Sequence, residues 1–172
     1  LSSPDIFAYP LLVITADAAF DTTPVETNNL GKYLRSGGFV FMETCGASGD
    51  DGPSPSAASF RKLVKGALGP SGELRPVPGD HFLYHSRFDF DDGPPRTRRD
   101  DTETPGGQPP GILEGAWIGE RLAVVYSEKQ YAESWGNPKG SDTYRRMGVN
   151  IVAFALTQPG GIAVRLVDDS GR

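Results

Sequence analysis

Two apolar runs on either side of one well-marked helix constrain the fold of this chain more than any other feature. The first run, residues 10–15, contains no charged residue, which is typical of a strand covered on both faces in a parallel sheet. The second, residues 39–43, ends in the carboxylate of Glu43. A strand, a helix and a strand in this order form a right-handed crossover between parallel strands. The sequence therefore predicts an α/β fold with a mainly parallel sheet.

The helix between these runs has recognisable start and stop signals. Residues 23–26, Thr-Pro-Val-Glu, supply an N-cap, a proline at the first helical position and the glutamate of a capping box. Leu30, Tyr33 and Leu34 form the apolar stripe that we expect to be buried. Gly37 suits the left-handed conformation in which many helices end.

The remaining sequence predicts further elements of one domain, residues 1–172. We expect loops at 46–56 and 91–111, a second helix on Phe60, Leu63, Val64 and Ala67, a short strand at 74–77, a hairpin of 116–118 with 122–126, a last helix capped by Ser141, and a closing strand at 162–167. The loop at 91–111 is rich in Asp, Arg, Gly and Pro and has no apolar core, and loops of that length are generally functional or disordered.

Length and charge exclude several classes of protein. A chain of 172 residues has room for one domain with a sizeable core. Its net charge of -5, without any basic stripe, argues against nucleic-acid binding. The longest apolar run is far too short to cross a bilayer, so we expect no membrane segment within this chain. The single cysteine cannot form an internal disulfide.

Polar side chains gather where the first two predicted strands end. In an open α/β sheet, ligands bind outside the carboxyl ends of the strands. This chain places Asp17 after the first strand and Glu43, Thr44 and Cys45 at the end of the second. The two carboxylates could hold a hard cation or share a proton, although carboxylates at strand ends also commonly cap the next segment. The pattern predicts a ligand-binding crevice lined by Asp17, Glu43 and Thr44.

Cys45 is the only thiol and the one candidate nucleophile of this edge. A catalytic thiolate needs a base or a helix N-terminus within hydrogen-bond reach. No histidine lies near Cys45 in the sequence, so the fold would have to bring in His81 or His85. The alternative, which we favour, is that Cys45 is a small, buried apolar residue without activation.

His81 and His85 stand four residues apart, a spacing that binds zinc when it occurs on a helix. Two prolines and a glycine just before them indicate a loop or a single turn instead, and no third ligand with suitable spacing is visible. We therefore expect neither a metal nor a cofactor. Arg61, on the second helix, could hold an anion above the sheet, or it could extend along the helix surface as arginines commonly do.

Six blocks of sequence, in the same order, carry a resemblance to a known family. They are FAYPLLVIT at 7–15, LRSGGF at 34–39, FRKL at 60–63, DHFLYH at 80–85, GERLAVVYS at 119–127 and RMGVNIVAFALT at 146–157. These blocks resemble the bacterial domain of unknown function family numbered 4159, over nearly the whole chain. The resemblance implies a flavodoxin-like, class I glutamine amidotransferase-like fold, a three-layer sandwich with a mainly parallel sheet between helices.

The resemblance also bears on the site. Amidotransferases place their nucleophile in a Gly-x-Cys-x-Gly elbow, whereas residues 43–47 are Glu-Thr-Cys-Gly-Ala, which lacks the first and the second glycine of that elbow. Small residues at those two positions allow the sharp turn. Relatives often carry Gly-His-Gly where residues 16–18 are Ala-Asp-Ala. The resemblance also implies that the histidine at the position of His81 packs against its neighbours and makes hydrogen bonds, as it does in amidotransferase-like domains.

The resemblance further implies that the first strand and helix of the family precede the position of Leu1, so we expect an N-terminally truncated piece of a longer protein. Family members often follow signal or membrane segments, which implies a periplasmic or envelope-associated protein. We predict a non-catalytic domain that binds an unknown small molecule or protein at the crevice of Asp17, Glu43, Thr44 and Cys45. The alternative is a cysteine-dependent hydrolase or amidase that uses Cys45 with His81 or His85.

Overall fold

A five-stranded open sheet forms the centre of the domain. In the computed structural model, which describes residues 1–45, 54–96, 112–137 and 139–165, the strands are β1 (Leu11–Ala16), β2 (Phe39–Thr44), β3 (Arg75–Pro76), β4 (Glu114–Ile118) and β5 (Arg121–Ser127). Their order in the sheet is β1-β2-β5-β4-β3. β1, β2 and β5 are parallel, β4 runs antiparallel to β5, and β3 runs antiparallel to β4. The predicted α/β fold, mostly parallel at its core, is confirmed.

Helices cover both faces of this sheet. They are α1 (Pro24–Arg35), α2 (Pro55–Leu68), α3 (Ala132–Trp135) and α4 (Asp142–Thr157), with single 3-10 turns at Pro4–Ala8, Gly69–Gly72 and Phe82–Tyr84. α1 and α2 pack on the face to which Val40 and Met42 point. α4 packs on the opposite face, against Phe39 and Phe41, because successive side chains of a strand point to opposite sides. β2 is therefore buried along its whole length.

The start of α1 has the predicted capping box. The Glu26 amide donates a hydrogen bond to Thr23 Oγ1 at 3.3 Å, and the Thr23 amide donates one to Glu26 Oε2 at 2.9 Å. Tyr33 and its neighbours on the predicted stripe are fully buried. Gly37 has a φ of 101°, which is the left-handed conformation predicted for the end of this helix.

β1 and β2 are adjacent and parallel, as predicted, with Leu11 opposite Phe39 and Ala16 opposite Thr44. The prediction that β1 is covered on both faces is wrong. β1 is an edge strand, and Val13 keeps 46% of its surface exposed. An apolar run shows that a strand can be buried, but the strand order decides how much of it is covered.

The predicted strand at 162–167 is wrong over residues 162–165, which are helical, and residues 166 and 167 lie outside the described residues. The Ile162 amide donates to the Gly37 carbonyl, and the Arg165 amide donates to the Gly161 carbonyl, which is a helical hydrogen bond. A short apolar run does not distinguish strand from helix by periodicity. The predicted hairpin, second helix and last helix are confirmed, although Ser141 makes no capping hydrogen bond.

The two predicted loops fall mostly outside the described residues. Pro55 and Ser56 belong to α2, so the loop predicted at 46–56 ends earlier than expected; its residues 46–53 and residues 97–111 of the second loop are not described. Within the described part of the chain, every helix is too short or too polar to cross a membrane.

Candidate functional site

The chain leaves the sheet in opposite directions at the carboxyl ends of β2 and β5. After β2 it continues to α2 on one face, and after β5 it continues to α3 and α4, of which α4 covers the other face. β2 and β5 are neighbours and parallel. In open α/β sheets a crevice forms where the connections diverge in this way, and ligands bind there. Residues 43–45 and 127–130 lie at this place together with Asp17, and we call it the switch-point crevice, although Glu43, Thr44, Ser127 and Lys129 are themselves buried.

All four residues predicted to line the edge lie at this end of the sheet. Asp17 directly follows β1, and Glu43 pairs with Thr15 of that strand. The Cys45 amide donates to the Ala16 carbonyl at 2.8 Å, which extends the β1–β2 ladder by one residue. The sequence reasoning did not find the segment after β5, because nothing in the sequence showed that β5 inserts next to β2.

The carboxylate of Glu43 is fully buried and holds the loop that follows β5. It accepts hydrogen bonds from Ser127 Oγ at 2.7 Å, from the Tyr131 amide at 2.9 Å and from the Ala132 amide at 2.7 Å. Burial raises the pKa of Glu43, although these three hydrogen bonds oppose that shift. Of the roles considered for this carboxylate, the geometry corresponds to capping: it binds the amides at the start of α3.

The loop held by Glu43 contains a backbone conformation that residues other than glycine seldom adopt. Gln130 has a φ of 61°, and it is the one residue other than glycine with a positive φ in the described ranges. Such a conformation persists only where surrounding contacts impose it. The Lys129 amide donates to Ser127 Oγ at 3.0 Å on one side of Gln130, and Tyr131 is bound to Glu43 on the other. The wall of the crevice formed by β5 is therefore fixed in place by β2.

The Cys45 thiol lies among acidic groups. It is partly buried, and burial raises its pKa, as do the nearby carboxylates of Glu43, Glu133 and Asp17; a hydrogen bond with Thr15 acts in the opposite direction. Reactive cysteines lie in electropositive surroundings that lower the pKa of the thiol. The surroundings of Cys45 therefore disfavour a thiolate near neutral pH.

His81 lies at the opposite end of the sheet from Cys45. Its ring centre is 5.4 Å from that of Phe154, which is 5.5 Å from that of Phe39 at the first position of β2. Cys45 follows the other end of β2, about 20 Å away along the strand. His81 Nδ1 accepts a hydrogen bond from the Leu83 amide at 3.1 Å, and burial lowers the pKa of the ring. His81 thus packs and caps the turn at Phe82–Tyr84.

His85 is engaged elsewhere as well. It follows the same turn, and its Nδ1 lies 3.2 Å from an oxygen of Asp89 and 4.0 Å from one of Asp91. In the described part of the chain neither histidine contacts Cys45, and no three His, Cys, Asp or Glu side chains are grouped to hold a metal ion.

Arg61 is bound to a carboxylate of the sheet. Both of its terminal nitrogens donate to Glu114 on β4, and its guanidinium lies 5.4 Å from the centre of the Tyr126 ring. The hydroxyl of Tyr126 in turn donates to Glu128 at 2.7 Å. Arg61 therefore links α2 to the antiparallel part of the sheet, and its charge is paired rather than presented to an anion.

Comparison with known protein families identifies the family of this chain. The model of a protein family described as a domain of unknown function, DUF4159, matches residues 1–156. No curated protein matches the chain significantly.

Proposed function

This chain belongs to the DUF4159 family, and we propose that it is a non-catalytic binding domain that holds a small molecule or a segment of a partner protein in the switch-point crevice. We propose for it the flavodoxin-like layering of class I glutamine amidotransferases, which the central parallel strands and the helices on both faces support. From the sequence resemblance, we also propose a bacterial protein of the periplasm or cell envelope.

One observation carries the preference for binding over catalysis. The carboxylate of Glu43 is buried, and it accepts hydrogen bonds from Ser127 at the end of β5 and from the Tyr131 and Ala132 amides after it. It is therefore a structural group and not a base within reach of a substrate. Beside it, Cys45 has acidic neighbours and lacks a histidine contact among the described residues. These surroundings of Cys45 support binding rather than an activated nucleophile.

The carboxylates around Cys45 favour a ligand with a positive group. The carboxylates that raise the pKa of the Cys45 thiol, including the exposed Asp17, create a negative local potential. An ammonium or guanidinium group would be attracted to such a place, whereas a phosphate or carboxylate ligand would be repelled. A basic side chain of a partner protein fits this chemistry.

Cys45 itself can report occupation of the crevice. We expect an oligolysine peptide at low ionic strength to slow the alkylation of Cys45 by iodoacetamide, and an oligoglutamate peptide of equal length to leave the rate unchanged. Asp17→Asn should weaken the protection by about two- to fivefold, as expected for one exposed ion pair. Glu73→Gln, which removes an exposed carboxylate elsewhere on the surface, is the matched control and should not. Equal protection by both peptides would contradict the proposed ligand charge.

The pH dependence of the same reaction distinguishes binding from hydrolysis. We expect alkylation to be slow near pH 6 and to rise only through or above the ordinary thiol range of about 8.5, since the pKa of Cys45 is raised. A rate near pH 6 that exceeds the rate of the unfolded protein, and that is lost in both His81→Ala and His85→Ala, would favour the cysteine-dependent hydrolase instead.

A further inference from the structure

A cavity lies at the opposite end of the sheet from the switch-point crevice, next to the turn where β4 leads into β5. Its volume is about 330 Å³, a size that suits a small ligand. The 3-10 turn after α2, the segment of β3 and the turn between β4 and β5 line it, through Pro70, Ser71, Glu73, Arg75, Trp117 and Gly119. We call it the hairpin cavity, and we propose that it binds a zwitterion, an amino acid or a dipeptide, through Arg75 and Glu73.

The indole ring of Trp117 positions the guanidinium of Arg75 at this cavity. The register of β4 against β5 shifts between Ala116 and Trp117, and such irregularities redirect a side chain. A Cβ on Gly115 would lie 3.1 Å from the Trp117 ring, so the ring occupies the space that this glycine leaves open. β3 places Arg75 opposite Gly115, and the guanidinium lies 4.9 Å from the centre of the ring. The charge of Arg75 is therefore held by a cation–π contact.

Glu73 brings the opposite charge to the same cavity. It has an extended backbone, with φ of −79° and ψ of 120°, and it precedes Arg75 by two residues. Side chains two residues apart in an extended segment point to the same side. Both side chains are exposed, and in the described part of the chain neither forms an ion pair or a side-chain hydrogen bond. Two opposite charges thus line one cavity without neutralising each other.

This pair of charges selects the class of ligand. A carboxylate can accept two parallel hydrogen bonds from a guanidinium such as that of Arg75. An ammonium group is attracted to the carboxylate of Glu73. A ligand with only one of these charges would gain one contact and meet the like charge of the other residue. A ligand that carries both groups complements both side chains.

Alanylalanine and two analogues that each lack one charge test the proposal. N-acetyl-alanylalanine has no ammonium group, and alanylalanine amide has no carboxylate. Each is titrated into the whole protein at pH 6.5, where both ends of the dipeptide are charged, and the NMR signals of Trp117 Nε1–H and Arg75 Nε–H are followed. We expect saturable shifts with alanylalanine, and an affinity about two- to fivefold lower for each analogue, as for the loss of one exposed ion pair.

Two substitutions assign each charge of the ligand to one residue. Arg75→Gln should remove the preference over the amide and keep the preference over the acetylated peptide, and Glu73→Gln should do the reverse. A merely structural effect would weaken all three ligands equally. Arg145→Gln removes an arginine that is bound to the Asn137 carbonyl, away from the cavity, and should leave all three affinities unchanged. Shifts that do not saturate, equal affinities of the wild type for the three ligands, or the same losses in Arg145→Gln would overturn the proposal.

Discussion

Replacing Glu43 with glutamine tests whether its carboxylate holds the loop after β5. In the structure Oε1 accepts hydrogen bonds from Ser127 Oγ and from the Tyr131 amide, and Oε2 accepts one from the Ala132 amide. A carboxamide has one oxygen and one NH₂ group, so its NH₂ group must take the place of either Oε1 or Oε2. There it faces the donors that this oxygen had accepted from. At least one buried donor then loses its acceptor.

The expected cost follows from these contacts. A buried donor without an acceptor costs about 1–3 kcal/mol. Removal of a buried charge offsets part of this cost, because burial already raises the pKa of Glu43. We therefore expect Glu43→Gln to lower the free energy of unfolding by about 1–2 kcal/mol at pH 7. Glu43→Ala leaves three donors unpaired beside a cavity and should cost about 3–5 kcal/mol.

The pH dependence of the difference has a definite sign. The pKa of Glu43 is raised in the folded protein above its ordinary value of 4.5, so the folded state binds this proton more readily than the unfolded state. The stabilisation from that proton is complete below the unfolded pKa and is lost as pH rises through the folded pKa. Glutamine does not titrate. The stability of the wild type relative to Glu43→Gln should therefore increase as pH falls from 7 towards 4.5.

Urea unfolding of the wild type and both variants at pH 5, 6 and 7, followed by far-UV circular dichroism, measures these differences. Glu73→Gln is the control for loss of an exposed carboxylate and should change the unfolding free energy by less than about 0.5 kcal/mol. Equal stability of Glu43→Gln and the wild type at pH 7 would refute the anchoring role. If the stability advantage of the wild type over Glu43→Gln grew as pH rises, the hydrogen bonds and not burial would determine the direction of the pKa shift of Glu43.

Two further substitutions test how the first crossover is held together. Gly38→Ala would place a Cβ 2.3 Å from the ring of the buried Tyr33 and should cost about 2–3 kcal/mol in denaturant unfolding; Gly79→Ala, at a position with open space, is the control, and equal effects would contradict the packing argument. Thr23→Ala removes the acceptor of the Glu26 amide and should lower the thermal midpoint by an amount that corresponds to about 1 kcal/mol; an unchanged midpoint would show that the capping box does not stabilise α1.

The parts of the fold that sequence predicted are those whose causes are local. Thr23 and Glu26 are three residues apart, so their mutual hydrogen bonds form within the first turn of the helix and need no contact with the rest of the chain. The parallel pairing of β1 and β2 follows from the handedness of a single crossover. The positions of Asp17, Glu43, Thr44 and Cys45 at one edge follow from that pairing, because the carboxyl ends of parallel strands meet at the same side.

Only the tertiary structure decided which strand stands on the other side of β2. The sequence showed β4 and β5 as a hairpin, but their insertion next to β2 depends on contacts between residues more than eighty positions apart, such as Glu43 with Ser127. That insertion buries the Glu43 carboxylate. Instead of facing a ligand, the carboxylate holds the segment after β5 in place. The insertion also leaves β1 at the edge and brings Arg121 to the end of α1. Periodicity reports which faces of an element are apolar, whereas the neighbours of each face are chosen by the packing of the whole chain.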